Sequence, residues 1–211
     1  MNNINLWTSS EHALSYLGKA DKIPHRTERE GVLLSQVPQN IKRILDIGTG
    51  DDRLLALLKI DRPHLQSVAV DFSPTMLSAV KNRFADDPSV EIINHNLDAP
   101  LPELGLFDAV VSSFAIHHLS HERKFSLYTE VFDILEPGGI FCNLEHVASP
   151  TQSLHEKFLK EIGTLPENDD PSNKLLDVET QLQWLRKIGF IDVDCYWKWL
   201  ELALLIGVKA G

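Results

Sequence analysis

Leu45-Asp46-Ile47-Gly48-Thr49-Gly50-Asp51-Asp52 is the stretch whose reading decides the fold. An apolar run from Ile41 to Ile47 leads into it, and a helical pattern carrying Leu54, Leu55 and Leu58 leaves it. A strand that turns through two glycines into a helix opens a βαβ unit. Glycine permits the tight turn and a close approach of ligand to backbone, and the free N–H groups at a helix start suit a carboxylate or phosphate. The next apolar run, Gln66 to Asp71, ends on an acid. A carboxylate there can accept hydrogen bonds from both hydroxyls of a ribose, and the spacing from Gly48 is that of a nucleoside-binding unit.

Outward from this unit, short apolar runs alternate with helical patterns. The further candidate strands are Val90 to Asn94, Phe107 to Ser113 and Ile140 to His146. Their near-continuous hydrophobicity suits a sheet covered on both faces. Met76, Leu77, Val80 and Phe84 form a helical stripe, with Ser73 as N-cap and Pro74 at the first helical position. Phe125, Tyr128, Phe132 and Leu135 form another, stopped by Pro137-Gly138-Gly139. Val178, Leu182, Leu185 and Ile188 form a third, capped by Asp177 and stopped by Gly189. Phe190 to Trp197 and Glu201 to Val208 read as a terminal strand pair. The expected fold is α/β and doubly wound, a mostly parallel seven-stranded sheet with a C-terminal antiparallel pair. Residues 1–211 are expected to form one domain. Residues 5–37 would be a cap of two short helices joined near Pro24. Residues 148–176, with Pro150, Pro166, Pro171 and the acidic run Glu167-Asn168-Asp169-Asp170, would be a covering insertion that starts as a helix near Ser153.

Thirty acidic residues against 20 basic ones give a net charge of −10. Affinity for nucleic acid comes mostly from Lys and Arg, so this balance argues against an RNA or DNA partner. No apolar run approaches the roughly 20 residues of a membrane span, and the first residues carry no basic n-region. Cys142 and Cys195 sit apart in apolar runs and read as buried hydrophobes. A reducing, cytoplasmic setting is the expectation; the oligomeric state is not legible.

Asp46-x-Gly48-x-Gly50 resembles the first motif of the class I S-adenosylmethionine-dependent methyltransferases, and Asp71-Phe72-Ser73-Pro74-Thr75-Met76-Leu77 resembles their acidic ribose-binding turn. Asn96-Leu97-Asp98, Phe107-Asp108-Ala109-Val110, His117-His118-Leu119 and Leu135-Glu136-Pro137-Gly138-Gly139 match the later motifs, so the resemblance runs from about Ile41 to Val147. It implies S-adenosylmethionine as cofactor. Gly48 and Gly50 would line its methionyl and ribose parts, Asp71 would hold the ribose hydroxyls, and Phe72 would lie beside the adenine. Asp46, Thr49, Met76, Leu97 and Ser113 would line the same site. The family often places an Asp where this chain has Asn96, so either Asn96 or Asp98 would contact the adenine amino group. Asp52 stands where a third glycine is usual, and would cap the helix or face the cofactor's ammonium group. Arg26 would pair with the cofactor carboxylate or with Glu30, four residues on. A nicotinamide-type Rossmann reductase fits less well, because Arg53 replaces the last glycine of its fingerprint.

In an open parallel sheet the acceptor sits beyond the carboxyl ends of the strands, which nominates Phe114 to Leu119 and Glu145-His146. Methyl transfer needs alignment and, for a hydroxyl or amine, removal of a proton. His118, and after it His117, are the expected catalytic residues, with a packing role as the alternative. His117, His118, His121 and His146 have no diagnostic metal spacing, so no metal is expected. The expected reaction is methylation of an oxygen or nitrogen of a small molecule. The alternatives are an enzyme acting on RNA or protein, and a cofactor-fold protein that binds without catalysis.

Overall fold

The apolar runs form β1 (Arg43–Ile47), β2 (Gln66–Asp71), β3 (Val90–Asn94), β4 (Phe107–Ser113), β5 (Leu135–His146), β6 (Phe190–Trp199) and β7 (Leu202–Lys209) in the computed structural model. They make one sheet in the order β3-β2-β1-β4-β5-β7-β6, with β1 to β5 parallel and β7 antiparallel to both its neighbours. This is the doubly wound sheet with a terminal antiparallel pair that the sequence leads one to expect. The described residues are 9–11, 13, 23–50 and 52–211. Trp7, Asp51 and most of the first expected amino-terminal helix lie outside them.

The period-2 geometry of strands sends alternate side chains to opposite faces. Leu45, Ile47, Val68, Val70, Val110 and Phe141 point to one core, packed by α4 (His121–Ile134) through Leu127, Tyr128 and Val131 and by α6 (Val178–Ile188) through Leu182 and Leu185. Ile44, Ala69, Ala109, Val111 and Cys142 point to the other. That face is covered by α1 (Arg26–Gln36), α2 (Arg53–Asp61) and α3 (Pro74–Arg83) through Leu33, Leu54, Leu55, Leu58 and Val80. Each fully buried Leu or Val contributes on the order of 1.5–3 kcal/mol, so both cores fix the sheet on which the loops sit.

Asp177 caps α6 by accepting from the Thr180 N–H at 2.8 Å, and Gly189 ends it at φ +124°. Three local expectations are corrected. Ser73 occupies the N-cap position of α3, but its hydroxyl makes no capping bond; the Asp71 carboxylate instead accepts the Ser73 N–H at 2.8 Å. Leu135 belongs to β5, where it pairs with Phe107, because the Pro137-Gly138-Gly139 stretch is absorbed as a register shift inside the strand. Asp52 stands at the N-cap of α2 without a side-chain capping bond, and its buried carboxylate is ion-paired with Arg83 of α3.

Residues 148–176 begin with α5 (Gln152–Glu161), capped by Thr151, and continue through a 3-10 turn at Pro166–Asn168. The segment is stitched to the sheet at its far end. The Lys174 N–H donates to the His117 carbonyl at 2.9 Å, and the Ala148 N–H to Leu176 at 3.1 Å. Trp197 and Trp199 share one half-buried side of β6 while Lys198 is exposed. Trp199 packs against His25 and Phe158, with centroids 4.9 and 6.2 Å away. Trp184 packs edge-on to Phe125.

Candidate active site

The sheet order reverses between β1 and β4, and the carboxyl ends of such a pair diverge into a crevice. An open cleft with a cavity volume of roughly 140 Å³ lies there. Its floor is the loop after β1. The Gly48 and Thr49 N–H groups both donate to the Val70 carbonyl, at 2.8 and 3.0 Å, which ties this loop to the end of β2. Gly48 has φ +67°, and a Cβ placed on it would come 2.2 Å from the Ala115 Cβ. Only glycine fits between the two loops. The Thr49 hydroxyl donates to the buried Asp46 carboxylate at 2.7 Å, bracing the turn from within.

The Gly50 N–H donates to Asp71 Oδ2 at 2.9 Å, while Oδ1 takes the Ser73 amide. A carboxylate has about four lone-pair sites, so this one is aimed by backbone and keeps acceptor capacity on both oxygens. Burial pushes the Asp71 carboxyl above its ordinary value, against the pull of the Ser73, Gly50 and Phe72 amides. The Asp71 carboxylate, aimed by backbone amides, and the Gly48–Gly50 loop beside it in the cleft fit the methionyl–ribose portion of S-adenosylmethionine.

All the cofactor residues expected from sequence line this one cleft: Arg26, Asp46, Gly48, Thr49, Gly50, Asp71, Phe72, Met76, Asn96, Leu97 and Ser113. Asp98 lines it too, and its N–H donates to Asn96 Oδ1 at 3.0 Å. Arg26 takes its expected pairing with Glu30, at 2.9 Å, and lines the cleft. Glu30 is shared with Arg53, whose Nε lies 3.0 Å away. Asp52 is not among the lining residues; it holds the N-cap position of α2 with its carboxylate paired to Arg83.

His118 reaches the cleft and His117 does not. The two rings lie tilted against each other with centroids 4.0 Å apart, His117 lying behind and bonded through Nδ1 to Glu145 Oε1 at 2.8 Å. Burial holds His117 well below its ordinary pKa, helped by His146 and Lys124. Burial also pushes the Glu145 carboxyl up, opposed by the Lys124 ammonium. His118 is held down to about 3, by burial first and His117 second, against the opposing pull of Asp170 and Glu145. It is therefore neutral across the physiological range. His146 turns away from the cleft to Glu201, at 3.0 Å. Among the described residues no group of three His, Cys, Asp or Glu is placed to hold a metal ion.

Sequence reasoning missed Glu30, Arg53, His95, Ser172 and Lys174, all of which line the cleft. His95 is the most informative, because its Nε2 is buried with no hydrogen-bond partner. A polar atom left unsatisfied beside a cleft suits a ligand's hydrogen bond.

Residues 44–139 match a family profile described as a methyltransferase domain. The chain is 36% identical over 112 residues to a demethylmenaquinone methyltransferase of Thermus thermophilus, covering 52% of this chain and 49% of the relative. It is 34% identical over 110 residues to an uncharacterised methyltransferase of Mycobacterium bovis, covering 52% and 53%. The chain thus spans about half the length of these curated relatives. An O-methyltransferase family protein from Burkholderia thailandensis has the same fold, with a TM-score of 0.75 at 18% identity over 97% of this chain and 62% of that one. Residues 44–139 thus match a methyltransferase domain, and the chain has the fold of S-adenosylmethionine-dependent methyltransferases.

Proposed function

We propose that the protein methylates an oxygen or nitrogen of a small-molecule acceptor, with His118 as general base. The observation that carries this reading is the placement of His118 in the same cleft as Asp71 and Gly50, beneath a covering segment. When bound, S-adenosylmethionine supplies a methyl carbon activated by its positively charged sulfur. Asp71 receives the ribose hydroxyls, and the glycine loop admits the methionyl chain. Arg26, held by Glu30, faces the carboxylate. Asn96 already spends a lone pair on the Asp98 amide, so Asp98 offers the stronger acceptor for the adenine amino group. His118 takes the acceptor's proton, and a neutral imidazole is the form able to do so. A cleft narrowed by the Ser172 and Lys174 side chains suits a small acceptor better than a macromolecular chain, and the net charge of −10 works against RNA.

Titration calorimetry with S-adenosylhomocysteine, and with NADH as control, tests the cofactor half. Binding of the former alone is expected. The acceptor half is tested with methyl-labelled cofactor added to separated metabolite, RNA and protein fractions of a cell extract. Label is expected among the metabolites, and label confined to RNA or protein would overturn the small-molecule reading.

A further inference from the structure

The covering segment places Ser172 and Lys174 on the cleft wall, and both engage His118. Lys174 Nζ donates to the His118 carbonyl at 2.7 Å, and its N–H holds the His117 carbonyl, so the segment fixes the backbone on which the ring sits. Ser172 addresses the ring itself. Its hydroxyl lies 3.0 Å from His118 Nδ1 and 2.7 Å from Asp170 Oδ1. The same Asp170 oxygen accepts the Ser172 N–H at 2.8 Å, which locks the two residues in a tight turn.

A hydroxyl has one proton to give and two lone pairs to receive, whereas a carboxylate only accepts. The Ser172 proton is therefore committed to Asp170, and toward His118 the Ser172 oxygen can act only as acceptor. Nδ1 must then carry the ring proton. A neutral imidazole has one N–H, so the lone pair falls on Nε2.

We propose that Asp170 and Ser172 are positioning residues of the methyl-transfer site, fixing His118 in the tautomer whose Nε2 is the base. This rests on the reading of His118 given above and adds what selects its reactive nitrogen. In the step it serves, the acceptor's O–H or N–H bond breaks and its proton passes to Nε2. The freed electron pair forms the bond to the methyl carbon, and the carbon–sulfur pair stays with sulfur. The charged and titratable groups facing the ring are His117 and Glu145 behind it and Asp170 and Lys174 on the segment. His146 lies beyond His117. Of these, Asp170 stands at the end of the chain of bonds from Nδ1, where it can stabilise the imidazolium that forms.

The test is long-range proton–nitrogen correlation spectroscopy on the ¹⁵N-labelled full chain, with S-adenosylhomocysteine as probe and His118→Gln to assign the ring. The wild type should show a protonated Nδ1 and an unprotonated Nε2 on His118. Ser172→Thr should retain that pattern. Ser172→Ala and Asp170→Ala should lose it, giving averaged signals or a protonated Nε2, and should lower kcat about tenfold or more with KM nearly unchanged. A protonated or averaging Nε2 in the wild type would overturn the proposal, as would an unaltered tautomer in both alanine variants. Calorimetry on the same samples separates the two readings. Absent S-adenosylhomocysteine binding with the tautomer intact would count against the function and leave the tautomer assignment standing.

Discussion

Asp71→Ala is the perturbation that weighs most on the cofactor site. Each Asp71 oxygen already accepts one backbone amide, at 2.9 Å from Gly50 and 2.8 Å from Ser73, which leaves both able to receive a ribose hydroxyl. A hydrogen bond to a charged group is worth about 1.5–3 kcal/mol. Two would give more than one, but burial has raised the Asp71 pKa, so part of that gain offsets the cost of holding the charge there. A net loss of about 1–3 kcal/mol follows, or roughly 5–150-fold in Kd for S-adenosylhomocysteine by calorimetry. The sign for stability is opposite. A carboxyl whose folded pKa lies above its unfolded value favours the fold at low pH, and that contribution is lost as pH rises through the folded pKa. Asp71→Asn removes the charge but turns an NH2 donor onto one of the two amides, so the relief of the buried charge is offset by a lost hydrogen bond while affinity falls. An unchanged Kd in a folded Asp71→Ala protein would refute the ribose assignment.

His118→Ala should lower turnover by roughly 10²–10⁴-fold with cofactor affinity nearly intact, and His118→Gln should not restore it. Because His118 is held down to about 3, the wild-type rate should show no acid limb from this group between pH 5 and 8. The same depression lets the unfolded chain bind the proton first, so denaturation should show stability falling as pH drops from 6.5 toward about 3, less steeply in His118→Gln. Gly48→Ala would set a Cβ 2.2 Å from Ala115 at a positive φ, and should cost on the order of 2 kcal/mol or more in chemical denaturation together with cofactor binding; wild-type values for both would contradict the close approach. Hydrogen exchange in residues 148–176 should slow when cofactor and acceptor are both bound, and equal protection in both states would make the segment a static insertion.

The bounds of β2, β3 and β4 are legible to the residue, because each apolar run ends on a polar residue, Asp71, Asn94 and Ser113. β5 is not. Leu135 completes the apolar stripe of α4, yet pairing with Phe107 outweighs that local periodicity, a choice set by contacts distant in sequence. The site divides in the same way. Asp46, Gly48, Gly50 and Asp71 lie on one βαβ unit, where spacing alone brings them together. Ser172 meets His118 across 54 positions and Glu30 meets Arg53 across 23, and no local pattern encodes either meeting. His117 and His118 were legible as a pair, but which of them reaches the cleft depends on the 3-10 turn Ile116–His118 and the Glu145 carboxylate beneath it.

The place of β7 bears on how the chain reaches this structure. It is the seventh strand in sequence but not the outermost in space, since it lies between β5 and β6. During synthesis β1 to β5 emerge first and can pair, yet β5 keeps a naked edge from Ile140 to His146 until residues 202–208 leave the ribosome. A strand edge of that length, with Ile140, Cys142 and Leu144 on one face, is a template for pairing with other chains. Cofactor-side order could thus form early while the nascent sheet stays sticky on its opposite flank. Shielding of that flank by a chaperone, or fast arrival of the last hairpin, would govern the yield of soluble protein more than any residue of the cleft.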